Sequence, residues 1–319
     1  MKKPNNALPH AHASSVRHFL VELFNQRYLQ LMVIPGIIWL IIFCYRPMYG
    51  IIIAFQDYRP GNPFWGENWV GLKHFELFFK DRYAIQSIWN TLKISGIKLL
   101  VNFPAPIVFA LLLNEVTSAK FKKFVQSVSY LPFFISWVVM SGILYSLLNV
   151  NGPLNYILLS LGVTEEAIAF LTLEDTFIPV AVLSDLWKGV GWSSILYFAA
   201  ISNIPQEMYE AAYIDGANRL QRCMKITLPS IMPTVTIMLI LAVSGILGSN
   251  FDQHIFLQNA QNLRVSQTID TYVYTLGITQ GRYAYATAVN LARSIVSFFL
   301  LLGADRLARW TSDGERGLF

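Results

Sequence analysis

Apolar residues gather into six long stretches, at 31–55, 88–113, 124–148, 177–201, 231–251 and 283–304, separated by more polar connections. Each stretch is long enough, or nearly so, for the roughly 20 helical residues that cross a bilayer core. Helices are the form expected of them, because a helix satisfies its own backbone hydrogen bonds inside lipid. The pattern therefore predicts an all-α integral membrane protein with six transmembrane helices. Pro104, Pro106 and Pro132 fall inside the stretches and mark expected bends.

An even number of spans places both termini on one side, and basic residues identify that side. The face holding the termini and the second and fourth connections carries thirteen Lys and Arg, including Lys120, Lys122, Lys123, Arg219, Arg222 and Lys225. The other face carries six: Arg59, Lys73, Lys80, Arg82, Arg264 and Arg282. The positive-inside rule assigns the first face to the cytoplasm. Residues 1–30 read as a cytoplasmic tail with an interfacial helix, since Val16, Phe19, Leu20, Leu23 and Phe24 recur at helical spacing beside Arg17 and Arg27. His10 and His12 in that tail read as solvated bystanders. Residues 31–306 form the six-span domain, and 307–319 a second cytoplasmic tail. No cleavable signal peptide is expected, because the first apolar run is preceded by a polar tail and is too long.

Composition agrees with this picture. Of 319 residues, 54% are hydrophobic and only 13% are charged, with a mean hydropathy of +0.45, outside the range of soluble globular chains. The two cysteines, Cys44 and Cys223, fall in different compartments, which argues against a disulfide.

Ionisable groups inside spans are costly, so each is a functional candidate. Arg46, Lys93, Lys98, Asp185, Lys188 and Arg293 lie there. Asp185 and Lys188, three residues apart on one helix, are expected to neutralise each other. Lys93, near the outer end of its span, is placed to snorkel. Arg46, Lys98 and Arg293 have no evident partner within the chain. Unpaired cations along a wet path would favour an anionic solute, the alternative being that they pair with another subunit. Trp39, Tyr45, Trp137, Tyr145, Trp187 and Trp192 add aromatic surface that either packs or stacks against sugar rings. Outside, residues 56–87 hold Trp65 and Trp69, and the loop at 149–176 holds Glu165, Glu166, Glu174 and Asp175 with no Lys or Arg.

The connection between the fourth and fifth spans carries the most specific signal. It reads EAAYIDGANRLQRCMKITLP, residues 210–229. Residues 204–213 have helical spacing of apolar positions, Gly216 permits a sharp turn, and a second short helix follows from about Asn218 to Leu228. Pro229 is expected to end that helix. Small Ala211 and Ala212 suit insertion into a groove, and Glu210 and Asp215 offer carboxylates to a basic rim.

Glu210, Ala211, Ala212, Asp215, Gly216, Ala217, Leu228 and Pro229 together resemble the E-A-A coupling loop of membrane subunits of binding-protein-dependent ABC importers. RPMYGIIIAFQDY, NTLKIS, ALLLNE and YLPFFISWVV extend the resemblance to the carbohydrate-uptake group, in the branch that imports polysaccharide fragments, and an alginate-oligosaccharide importer subunit is the sharpest form of it. The resemblance implies a type I importer permease fold with its coupling loop at 202–229, in a bacterial cytoplasmic membrane. It implies partners: a second homologous permease, a dimer of ABC ATPases, an extracytoplasmic solute-binding protein, an oligosaccharide and membrane lipid, with no nucleic acid. Arg46, Lys98, Lys188, Arg293, Trp187 and Trp192 are then candidates for the substrate path.

No cofactor or metal is expected in the chain itself. It has no G-x-x-x-x-G-K-[ST] phosphate loop, no H-E-x-x-H and no G-x-S-x-G, so ATP and Mg belong to the partner ATPases and no catalytic residue is assigned. A secondary transporter or channel would also explain six spans with buried charges, but it leaves the 210–229 pattern without a purpose.

Overall fold

The computed structural model describes residues 26–61 and 68–311. Trp65, His10, His12 and most of the expected interfacial helix lie outside them. The chain divides into two compact units, Met1–Ile52 and Ile53–Phe319.

In the first unit, helix α1 (Arg27–Leu40) runs into a π-helical turn at Ile41–Tyr45. None of its residues is buried, and Trp39, Tyr45 and Arg46 are all exposed.

Among its described residues the second unit consists of helices and the turns that join them, with one isolated bridge between Gln56 and Trp69 and no strand. Its helices include α2 (Lys73–Lys80), α3 (Arg82–Asn102), α4 (Pro104–Glu115), α5 (Ala119–Tyr130), α6 (Trp137–Leu148), α7 (Pro153–Ser160), α8 (Glu174–Ser202), α9 (Gln206–Ile214), α10 (Arg219–Arg222), α11 (Leu228–Ser244), α12 (Phe251–Leu257), α13 (Ile269–Tyr274) and α14 (Tyr283–Thr311), with a single further turn at Leu263–Ser266. Asp81 starts α3 by accepting from the amides of Tyr83 and Ala84, a side-chain cap that satisfies donors the first turn leaves open. Pro104 takes the first position of α4, where its missing N–H costs nothing. The chain thus passes through a single break at Phe103, and Arg82–Glu115 still reads as one long apolar helix.

Among the described residues four helices are long and apolar enough to span a membrane: Arg27–Phe55, Arg82–Glu115, Arg219–Ser244 and Tyr283–Trp310. The third expected span is not straight. Ala119–Phe134 and Trp137–Ser160 meet at 101°, with Pro132 in the 3₁₀ turn Leu131–Phe134 at the bend. The fourth expected span lies within α8, whose 29 residues suffice in length. Glu174, Asp175, Asp185 and Lys188 make it more polar than the others.

Three apolar clusters hold the unit together. Ile107, Ala110, Tyr197, Ile201, Ile231 and Val235 join α4, α8 and α11. Ile94, Phe177, Ala181 and Leu257 join α3, α8 and α12. Phe78, Ala84, Tyr272 and Val289 join α2, α3, α13 and α14. Gly191 sets the approach of α8 to α5: a Cβ there would stand 2.2 Å from the Ser129 carbonyl oxygen, so any side chain would force the helices apart.

Candidate functional site

Two places in the second unit combine specific geometry with polar chemistry. The first is the 206–228 loop. α9 ends in a Schellman motif: Gly216 adopts φ +78°, its amide donates to the Tyr213 carbonyl, and the Ala217 amide donates to the Ala212 carbonyl. This left-handed closure is the natural use of a glycine after a helix, and it turns the chain within three residues. Asn218 then caps α10 in a reciprocal box with Gln221, each side chain bonding the other's backbone amide at 2.8 Å. The Tyr209 hydroxyl meets Thr227 Oγ1 at 2.9 Å, tying α9 back to the far side of the turn.

The expectation that Pro229 ends the second helix is corrected. A π-helical turn at Cys223–Thr227 carries α10 directly into α11, with Pro229 in the first turn of α11. Proline cannot donate to the preceding turn, and the wider i→i+5 register is a known way to absorb such a defect without stopping the helix. Arg219–Ser244 is consequently one apolar helix. Glu210, Ala211, Asp215 and Gly216 are exposed, Ala212 and Ala217 half-buried, Leu228 half-buried and Pro229 exposed. Tyr213 and Ile214 are 71% and 84% exposed, so the loop presents large apolar side chains beside its carboxylates.

The second place lies around the segment that follows α11. The chain leaves helix after Ser244, and at 249 and 250 two consecutive polar side chains point to two different carboxylates. Asn250 donates to Asp185 Oδ1 at 3.3 Å. Ser249 donates to Asp270 Oδ2 through its amide at 3.0 Å and its hydroxyl at 3.1 Å. Each carboxylate also holds one cation. Lys98 Nζ lies 3.4 Å from Asp185 Oδ2 and donates to Gln253 Oε1 at 2.5 Å, while Arg293 forms an ion pair with Asp270. Asn102 donates to Asp185 Oδ2 at 3.0 Å, and Gln253 donates to the Ala181 carbonyl and the Ser184 hydroxyl. The expectation that Lys98 and Arg293 lack partners in the chain is thus corrected: each has a carboxylate from a different helix or loop.

These groups line two neighbouring cavities. One, of about 500 Å³, is bounded by Lys98, Asn102, Asp185, Ser249, Asn250 and His254; the other, of about 400 Å³, by Arg293, Ser244, Ser294 and Ser297. Gly245 and Gly248 border both. Lys98 lies near the middle of Arg82–Glu115, and Asp185 is roughly 17 Å along α8 from its first residue at 1.5 Å per residue. Polar residues at mid-length of apolar helices are retained where they face a wet space or one another. His254 is fully buried, and burial, reinforced by the Lys98 charge, pushes its imidazole down to about 3. It is therefore neutral near pH 7.

Lys188 does not join this network. Its ammonium donates to the carbonyls of Pro132, Phe133 and Ile135 at 3.3, 2.6 and 2.6 Å and lies over the Phe133 and Trp137 rings. The expected ion pair with Asp185 is replaced by a cap on the carbonyls of the 101° bend, where the Pro132 carbonyl accepts from the Ile135 amide as well. Trp192 stacks on Phe133, centroids 4.4 Å apart at 3°, and supports the same bend. Trp187 is half exposed, Lys93 is exposed, and both cysteines are free. Sequence reasoning missed Asp270, Asn102, Ser249, Asn250, Gln253 and His254. Asn102, Ser249 and Asn250 lie inside stretches that read as spans, where uncharged polar residues were passed over, and Gln253, His254 and Asp270 lie in the connection that follows the fifth stretch.

Comparison with known proteins gives concordant matches. A family model described as "Binding-protein-dependent transport system inner membrane component" matches residues 102–313. The chain is 43% identical over 304 residues to the polygalacturonan/rhamnogalacturonan transport system permease protein YteP of Bacillus subtilis (strain 168), covering 95% of this chain and 94% of the relative. It is 41% identical to the protein LplB of the same organism, covering 94% of each. Among solved structures it is similar to a chain of a bacterial ABC transporter involved in the import of the acidic polysaccharide alginate, with TM-score 0.84, 36% identity and coverage of 92% of this chain and 98% of that one.

Proposed function

The chain belongs to the family of binding-protein-dependent transport system inner membrane components, and on that premise we propose that it is one of two permease subunits of an ATP-driven oligosaccharide importer, with six spans and cytoplasmic termini. A second permease completes the path, an extracytoplasmic binding protein delivers the sugar, and a pair of ATPases binds ATP and Mg below. The observation that carries the reading is the exposed, Schellman-closed loop around Glu210 and Gly216, continuous through its π turn with α11. Glu210 and Asp215 meet basic groups of the ATPase, Ile214 and Tyr213 enter its groove, and closure of the ATPases displaces the loop as one body, driving alternating access.

The cavities beside Ser249 and Asn250 are the stretch of path supplied by this subunit. The substrate is acidic, as alginate is for the solved relative. With Lys98 and Arg293 neutralised in the resting state, a sugar carboxylate binds by exchanging places with Asp185 or Asp270, and the path retains no fixed excess of positive charge. Arg46, Trp187 and Trp192 contribute through surfaces that the second permease completes, and Lys188 acts only by holding the bend.

The test is ATP hydrolysis by the reconstituted complex, with and without binding protein loaded with neutral or acidic oligosaccharides, comparing wild type and Glu210→Lys. Stimulation by loaded binding protein that the substitution abolishes, greatest with an acidic sugar, is the expected result. Solute movement without hydrolysis, indifferent to Glu210→Lys, would establish a secondary transporter instead.

A further inference from the structure

A third cavity, of about 530 Å³, lies at the N-terminal end of α3 and is lined by Gln86, Trp89, Asn90, Lys93, Arg264 and neighbouring apolar side chains. Its location separates it from the two cavities above. At 3.6 residues per turn, Ser95, Lys98 and Asn102 fall within about 60° of α3, whereas Gln86, Trp89 and Lys93 fall within another sector of about 60° on the opposite side. This pocket therefore faces away from the Lys98–Asp185 network.

Depth is equally specific. The apolar stretch opens at Ile88, so Trp89 and Lys93 stand at the outer end of the span, within snorkelling reach of the headgroups. The pocket is also at the end of the bundle away from the 206–228 loop. Arg264 pairs with Glu174, the first residue of α8, and the last residue of α8, Ser202, lies about 42 Å further on at 1.5 Å per residue.

The chemistry is cationic and amphipathic. Trp89 is 66% exposed and Lys93 is exposed. Arg264 is engaged by Glu174 through Nε and Nη2, and that contact holds the Glu174 carboxyl below its ordinary value. With Arg264 compensated, Lys93 gives the pocket one net positive charge. Asn90 is fully committed: it donates to the Arg264 and Gln267 carbonyls at 2.9 and 3.0 Å and accepts from Gln86 at 3.1 Å. These bonds fix the 264–267 wall to α3, so the concavity is built by the fold.

We propose that this pocket binds the headgroup of an anionic phospholipid, the phosphate resting against Lys93 with Arg264 at the rim and the Trp89 indole at glycerol level. An indole and an ammonium at the hydrocarbon boundary match the layering of that ligand. A sugar acid on the transport path would require the opposite face of α3.

Native mass spectrometry of the full importer complex, equilibrated with phosphatidylglycerol and phosphatidylcholine in equal amounts, tests the proposal. Wild type should retain phosphatidylglycerol preferentially. Lys93→Gln should lower that preference about fivefold, Trp89→Leu should weaken retention of both lipids, and Lys80→Gln, an exposed lysine on α2, should behave as wild type. Equal retention by wild type and Lys93→Gln overturns the proposal. So does displacement of the lipid by inorganic phosphate or acidic oligosaccharide at equimolar concentration, which would assign the pocket to a small anion. A preference present in the isolated chain but lost in the complex also overturns it, since a neighbouring subunit would then cover this face. ATPase coupling is measured separately, so failure here leaves the transport reading intact.

Discussion

The 206–228 loop and the Lys98–Asp185–Asp270–Arg293 centre are built on opposite principles. Every bond that shapes the loop closes within about twenty residues of chain, from the Schellman turn at Gly216 to the Tyr209–Thr227 contact. The centre is closed by partners 21 to 155 residues apart, from Ser249 with Asp270 to Lys98 with Gln253, and most of its bonds join different helices. A module held by its own short-range bonds keeps its shape when its surroundings move. A network assembled from α3, α8, α12 and the segments around 249 and 270 changes whenever those elements shift. The difference suits a rigid handle on one side and a reconfigurable lining on the other.

The sharpest way to break the comparison is Gly216→Val. A branched side chain at φ +78° carries a left-handed penalty of about 1–2 kcal/mol, so stimulated ATP hydrolysis should fall by about tenfold or more. Thermal unfolding of the spans should hardly change, because the bonds lost are local. A matching fall in span stability would mean that the loop is no independent module.

The centre should respond in the reverse manner. Lys98→Met or Asp185→Asn alone leaves a poorly solvated charge without its partner and should destabilise the protein by about 2–3 kcal/mol, somewhat below fully buried pairs because Asp185 is partly exposed. The double variant should lose less than the sum, by about 1 kcal/mol or more, in a double-mutant cycle of unfolding in detergent. Strict additivity would show that the two charges are held independently.

A smaller effect comes from pH. The His254 imidazole is pushed below its ordinary 6.5 to about 3, so on acidification the unfolded chain takes up a proton that the folded protein refuses. The neutral-histidine contribution is complete above about pH 6.5 and declines as pH falls toward 3, by up to about 1.4 kcal/mol per unit. His254→Gln should therefore have a flatter stability profile than wild type between pH 6 and 4. Parallel profiles would show that His254 titrates normally.

Much of the loop was legible in the sequence for the reason that it is local. Helical spacing up to Tyr213, the glycine turn and the second helix are all present, and Asn218 with Gln221 is a readable capping box. Pro229 misled because a proline removes one helical bond without always ending the helix, as Pro233 inside the same helix also shows. The centre was half legible. The cost of charge in lipid singled out Lys98, Asp185 and Arg293, but pairing partners 87 and 23 positions away along the chain leave no periodic trace. Lys188 was read as the neighbour of Asp185 because the sequence shows spacing along one helix, and not the carbonyls that another segment's bend turns toward it. The apolar pattern likewise located α8, while its four charged residues gave no indication that they would be shared among several neighbours.

The π turn at Cys223–Thr227 has a mechanical consequence. By carrying α10 into α11 without interruption it makes Arg219–Ser244 a single lever of 26 residues, about 39 Å long at 1.5 Å per residue. Its short arm is gripped by the loop, and its far tip lies five residues from Ser249. A tilt of about 10° pivoting at the loop sweeps that tip through about 7 Å, more than the reach of any hydrogen bond that Ser249 and Asn250 make. Had the helix stopped at Pro229, the same stroke would have been spent in a slack joint.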